Sequence, residues 1–224
     1  MADAPVKPFK PPSPLATNSL IGLCVAVQAG LMLGGPGFGE AIIARYGLVP
    51  LHIARALGGD APLSSLLPGS VTHMFLHAGL IHLALNMVFL AWVGRYVEWV
   101  TGRLGLLGIF LFGGLLGGAA QVLASPFSAV PVIGASGGIS AVFGAYAMMF
   151  ATSRATARKL LGLRLSADLL TALWYAASWI GLQLLVAYAF SDGKGPSIAI
   201  WTHIGGFLTG LLFARRWGRG PSLF

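Results

Sequence analysis

No charged side chain stands between Lys10 and Glu40, between Arg103 and Arg154, between Asp168 and Asp192, or between Lys194 and Arg215. Stretches this long without Asp, Glu, Lys or Arg cannot present a face to water, so they fix the solvent before they fix the fold. Charged residues make up 9% of the chain, against about 25% in a soluble domain. Lipid is therefore the main solvent. In lipid every backbone N–H and C=O must be satisfied within the chain, as a helix does. The 32 glycines suit membrane helices that pack backbone against backbone. The single cysteine, Cys24, lies in an apolar run and can form no intramolecular disulfide. A net charge of +8 would suit nucleic acid, but the basic residues are scattered at the ends of apolar segments. That distribution belongs to membrane topology, so no nucleic-acid partner is expected.

The apolar segments predict six spans, at 19–35, 77–99, 104–125, 135–152, 169–190 and 198–214, each about long enough to cross a bilayer. The fourth and sixth are short, as suits a helix that starts below the membrane surface. Residues 1–18 read as a disordered, Pro-rich cytoplasmic tail. A secretory signal does not fit, because prolines follow the basic residues before any apolar run begins. Residues 19–214 form the membrane domain, and 215–224 a short basic cytoplasmic tail.

Six spans put both termini on one side, and Lys and Arg decide which. With the N-terminus cytoplasmic, the inner segments hold Lys7, Lys10, Arg95, Arg103, Arg154, Arg158, Lys159, Arg164, Arg215, Arg216 and Arg219. The outer segments hold only Arg45, Arg55 and Lys194. Both termini are then cytoplasmic. The outer segment 36–76 mixes turn residues with apolar stretches such as "AIIARYGLVPLHIARAL" and predicts short amphipathic helices lying in the interface.

Polar side chains inside spans are costly, and each needs an account. The second span opens "THMFLHAGLIHLALNM", with His82 and Asn86 four apart and hence on one helix face. The sixth holds His203 in "WTHIGGFLTG", and the fourth holds Ser136 in "GASGG". Taken singly, each has a structural reading: the amide as helix glue, the hydroxyl bonded back one turn, the imidazole tied to a neighbouring helix. His73 and His77 form HxxxH, but the glutamate of a zinc HExxH is missing, so no metal or other cofactor is expected.

Taken together the residues say more, because three spans bring Ser136, His203 and the His82–Asn86 pair to the same outer depth. A serine needs a base to become a nucleophile, and His203 is the only histidine outside 52–82. The Ser136 N–H at a helix start could receive an oxyanion, and the His82 and Asn86 side chains could complete the hole. Gly134 and Gly137 let backbone approach backbone beside the serine. Gly206 and Gly210 give the sixth span a smooth face to press against the fourth.

"GASG" opening one span, "HIGGFLTG" in the last, "HAGLIHLALN" in the second and "GRYVE" (Gly94 to Glu98) ending it resemble the rhomboid intramembrane serine proteases over roughly residues 66–214. The resemblance implies an all-α, six-transmembrane-helix bundle and a Ser136–His203 dyad without an aspartate. It implies an oxyanion hole of the Ser136 N–H, His82 and Asn86, in a cavity open to the outer side. Its substrates are transmembrane helices cut near their outer ends. Span five and the loop "SDGKGPSIA" are similar to the gate through which such substrates enter. The chain departs from the family in two places. Pro68–Gly69 stand where many members carry Trp–Arg, and Ser140 stands where some carry a tyrosine that stacks on the base.

The expectation is thus a multi-pass protease of a bacterial inner membrane with its site facing the outer side. Its partners are transmembrane protein substrates and the bilayer. The rivals are a silent rhomboid-like scaffold that binds membrane helices, and a transporter using its histidines as a proton relay. The transporter would show internal repeats, and none is visible.

Overall fold

The computed structural model describes residues 13–150, 158–160, 163–165, 170–171, 173–175, 177–181 and 199–218. The tail before residue 13, the end of the fourth expected span, the second half of the fifth, most of the loop after it and residues beyond 218 lie outside the described residues.

Helix α1 (Leu15–Gly34) begins four residues before the expected span, and a distant carboxylate explains why. Pro14 supplies no side-chain cap. Buried Glu98 supplies one instead, accepting from the Ala16 and Thr17 N–H groups at 2.9 Å each and from the Thr17 hydroxyl at 2.8 Å. An anion at a helix N-terminus satisfies orphan amides and complements the dipole. Gly94, one turn before Glu98, makes room for this contact: a Cβ there would lie 2.9 Å from the Thr17 methyl.

The outer segment folds into α2 (Pro36–Tyr46), α3 (Pro50–Gly58), a 3₁₀ turn (Leu63–Leu66), α4 (Gly69–Thr72) and a second 3₁₀ turn (His73–Phe75). Backbone bonds fasten it to the stretch leading into the next helix but one: Leu48 and Val132 exchange both N–H groups, at 3.0 and 2.8 Å. The Pro68–Gly69 departure has a local reason. A Cβ on Gly69 would lie 2.6 Å from the Gly47 carbonyl oxygen, so no side chain fits there.

Helix α5 (Leu80–Ala124) runs 45 residues, about twice what a bilayer needs, but Gly102 breaks it with φ 72° and ψ 174°. Those angles favour glycine, and they separate the segment into two helices matching the expected second and third spans. Helix α6 (Ser136–Phe150) follows, buried on every side from Ser136 to Ala145. Residues 158–160 and 163–165 form a small antiparallel pair, with Arg158 opposite Leu165. The described residues between 170 and 181 are helical.

Helix α7 (Ile200–Ala214) packs against α6 and the second half of α5. The α6–α7 seam is backbone on backbone. A Cβ on Gly206 would collide with the Gly137 carbonyl, and one on Gly210 with the Ala141 carbonyl. The architecture is a helical bundle with α6 at its centre, and the core gathers Leu90, Val93, Phe110, Ile139 and Val142.

Candidate active site

The chain enters α6 through a sharp turn at Gly134, whose φ of 124° an L side chain rarely adopts. The Gly134 N–H donates to the His73 carbonyl at 2.9 Å, which anchors the turn to the outer segment. The first intrahelical bond of α6 runs from Ile139 N to the Ala135 carbonyl at 2.9 Å. The Ser136, Gly137 and Gly138 amides therefore precede the helical ladder. They form the positive end of the helix, with Ser136 as its first residue.

The structure brings Ser136 and His203 together. The Ser136 Oγ and His203 Nε2 are 2.8 Å apart, and both residues are buried, at 7% and 5% exposure. The α6–α7 seam sets this distance. Gly137 next to the serine meets Thr202 next to the histidine, where a Cβ on Gly137 would lie 2.6 Å from the Thr202 methyl. His203 Nδ1 is buried with no hydrogen-bond partner among the described residues. No carboxylate is bonded to the imidazole there, so the arrangement is a pair.

His82 faces the same turn. Its Cε1 and Nε2 would lie 2.9 Å from a Cβ on Gly134, and the Ser136 Oγ would lie 3.5 Å from it. The Ala78 N–H donates to His82 Nδ1 at 3.3 Å. A ring that accepts at Nδ1 carries its proton on Nε2, so the donor side of His82 lies beside Gly134, at the turn before the serine. Asn86 sits one turn below, buried, and its Nδ2 donates to the His82 carbonyl at 2.9 Å. One of its two N–H groups is thus committed to its own helix.

The two HxxxH residues make different contacts. His73 Nδ1 bonds to the Gly69 carbonyl at 2.9 Å, while His77 packs edge-on against His82 with ring centroids 5.2 Å apart. Burial pushes the His73 imidazole down to about 4, so it is neutral near pH 7. Among the described residues no group of three His, Cys, Asp or Glu side chains is arranged to hold a metal ion.

One contact has no counterpart among the sequence motifs. The Trp179 indole N–H donates to the Ser140 hydroxyl at 2.7 Å, both groups buried, and the ring packs on Phe89 at 4.0 Å between centroids. Ser140 is one turn past Ser136, so the hydroxyl standing in the tyrosine position serves span five rather than His203. The only sequence signal is a polar-tipped aromatic in one span and a lone hydroxyl in another, and nothing in the spacing pairs them.

Fold and site together define a helical membrane protein built around a buried serine–histidine pair. The family model described as "Rhomboid domain" matches residues 67–219. The chain belongs to the rhomboid family. It is 32% identical over 141 residues to human "Inactive rhomboid protein 2", covering 63% of this chain and 14% of that protein. It is 38% identical over 141 residues to Arabidopsis thaliana "RHOMBOID-like protein 2", covering 61% of this chain and 38% of that one. To human "Rhomboid-related protein 3" it is 33% identical over 99 residues, or 43% and 24% of the two chains. The chain thus spans between 14% and 38% of these curated relatives.

Proposed function

We propose that this protein is an intramembrane serine endopeptidase that cleaves transmembrane-helix substrates near the outer face of the membrane through a Ser136–His203 dyad. The observation that carries the reading is the 2.8 Å approach of a buried hydroxyl to a buried imidazole from different helices. In the bland reading of either residue, nothing requires them to meet.

In the reaction, the Ser136 Oγ attacks the scissile carbonyl carbon as His203 Nε2 takes the hydroxyl proton. The carbonyl π pair moves onto oxygen, toward the Ser136 N–H and the Nε2–H of His82, with the second N–H of Asn86 as a further donor. Collapse expels the amine, which leaves with the proton from His203. A water then surrenders a proton to the same nitrogen as its oxygen attacks the acyl carbon, and collapse breaks the bond to Oγ, which takes that proton back from His203 as the acid leaves. A substrate helix hides its carbonyls in its own hydrogen bonds, so it must unwind locally first, which favours small residues and helix-breakers near the cut.

Six spans with both termini cytoplasmic put the Ser136 end of α6 toward the outer side, and the Lys and Arg asymmetry supports that orientation. We place the protein in a bacterial inner membrane as a multi-pass enzyme, with transmembrane proteins and the bilayer as its partners. Span five serves as the substrate gate. Ser136→Ala should abolish cleavage of a model transmembrane substrate while leaving the fold intact; cleavage retained by that variant would sink the assignment.

The similarity to a protein named as inactive favours a second reading, a silent scaffold that binds membrane helices. That reading allows binding of a substrate helix with no covalent chemistry at Ser136.

A further inference from the structure

We propose that the end of the bundle opposite Ser136 holds a docking site for one anionic phospholipid, formed where the second half of α5 meets the end of α7. His82 and Ser136 mark one end of the first half of α5, and Gly102 marks the other. There the turn closing α7 docks onto the start of the next helix. A Cβ on Gly105 would lie 3.2 Å from Trp217 Cζ2, so the indole rests directly on that backbone. Three exposed arginines flank this contact in the chain: Arg103 two residues before Gly105, and Arg215 and Arg216 just before the tryptophan. Arg216 is steadied over the Phe213 ring at 5.6 Å.

The charge has no internal counterpart among the described residues. The carboxylates described there are Glu40, Asp60 and Glu98. Glu40 and Asp60 stand in the outer segment, and Glu98 is spent on the start of α1. Against three arginines, with no described carboxylate left to pair with them, the fitting ligand is an anion.

The wall beside the arginines says which anion. Leu208 and Leu212 are spaced four apart on α7 and lead in that register to Arg216, and both are more than half exposed. On α5, Phe112 and Leu116 repeat the spacing, with Phe112 close to Phe213 at 5.8 Å between centroids. An apolar track ending at guanidinium groups matches acyl chains ending at a phosphate, and Arg is the side chain suited to grip phosphate oxygens. A membrane-embedded surface makes a phospholipid the ligand, and the inference is independent of whether Ser136 is catalytic.

The test is native mass spectrometry of the full chain released from detergent with equimolar phosphatidylglycerol and phosphatidylcholine of identical acyl chains. Wild type and Ser136→Ala should each retain one phosphatidylglycerol, favoured roughly tenfold or more over phosphatidylcholine. The triple variant Arg103→Gln/Arg215→Gln/Arg216→Gln should fall to parity, and Arg216→Gln alone should fall part of the way. Arg95→Gln removes an exposed arginine from the first half of α5 and should keep the full preference. No preference in wild type, a preference surviving the triple variant, or an equal loss with Arg95→Gln would overturn the site.

Discussion

In the proposed protease reaction, His82 and Asn86 share a helix face but differ in how much each can give to a developing oxyanion. His82 accepts from the Ala78 N–H at Nδ1, which leaves Nε2–H aimed at the turn before Ser136. Asn86 has already given one N–H to its own helix. Removing a single oxyanion donor costs about 10²–10³ in kcat. We expect His82→Ala to fall in that range with KM little changed, and Asn86→Ala to cost less; steady-state kinetics on one transmembrane substrate measures both. Equal losses would mean that Asn86 releases its helical bond when substrate arrives. The serine, the base and these two polar residues are legible in the sequence because lipid makes every buried polar group conspicuous. The Trp179–Ser140 bond is not, since an indole N–H and a hydroxyl are each unremarkable in a span and only three-dimensional packing joins them.

Among the elements, the α6–α7 seam decides whether serine and histidine meet. Gly206 lies on the Gly137 carbonyl, so any side chain at 206 must push α7 away from the start of α6. A misplacement of about 1 Å can cost on the order of 10²-fold in rate. Gly206→Val should therefore lose at least about 100-fold in cleavage rate while circular dichroism still shows the helices. Gly30→Ala, where a Cβ meets nothing within 4 Å, should keep full activity and serves as the control. The smooth face of the last helix is legible in its HxxGxxxG spacing, because glycines four apart fall on one side of a helix. The early start of α1 is hidden, because its cap comes from Glu98, 81 residues away from Thr17.

At the scale of the whole molecule, apolar length and charge bias make a helical bundle readable, since an almost charge-free chain has few ways to satisfy its backbone in lipid. The outer segment is readable only as amphipathic, because tertiary bonds such as Leu48–Val132 set its path. That segment also couples stability to pH through His73, fully buried and held neutral, with its pKa near 4 against 6.5 for the free side chain. Between those values the unfolded chain binds a proton that the folded chain refuses. Stability is thus complete above pH 6.5 and declines as pH falls toward 4, by up to about 3 kcal/mol from this residue. Thermal melts across that window should show a shallower decline for His73→Asn than for wild type; parallel slopes would mean that His73 does not set the pH dependence. The central claim is that a hydroxyl and an imidazole on separate helices make one nucleophile. Its most direct measurement is the mass of a fluorophosphonate adduct on the purified protein. One adduct on Ser136 in wild type, and none in His203→Ala or Ser136→Ala, is the expected result. An unlabelled wild type, or labelling of Ser136 that persists without His203, would contradict it.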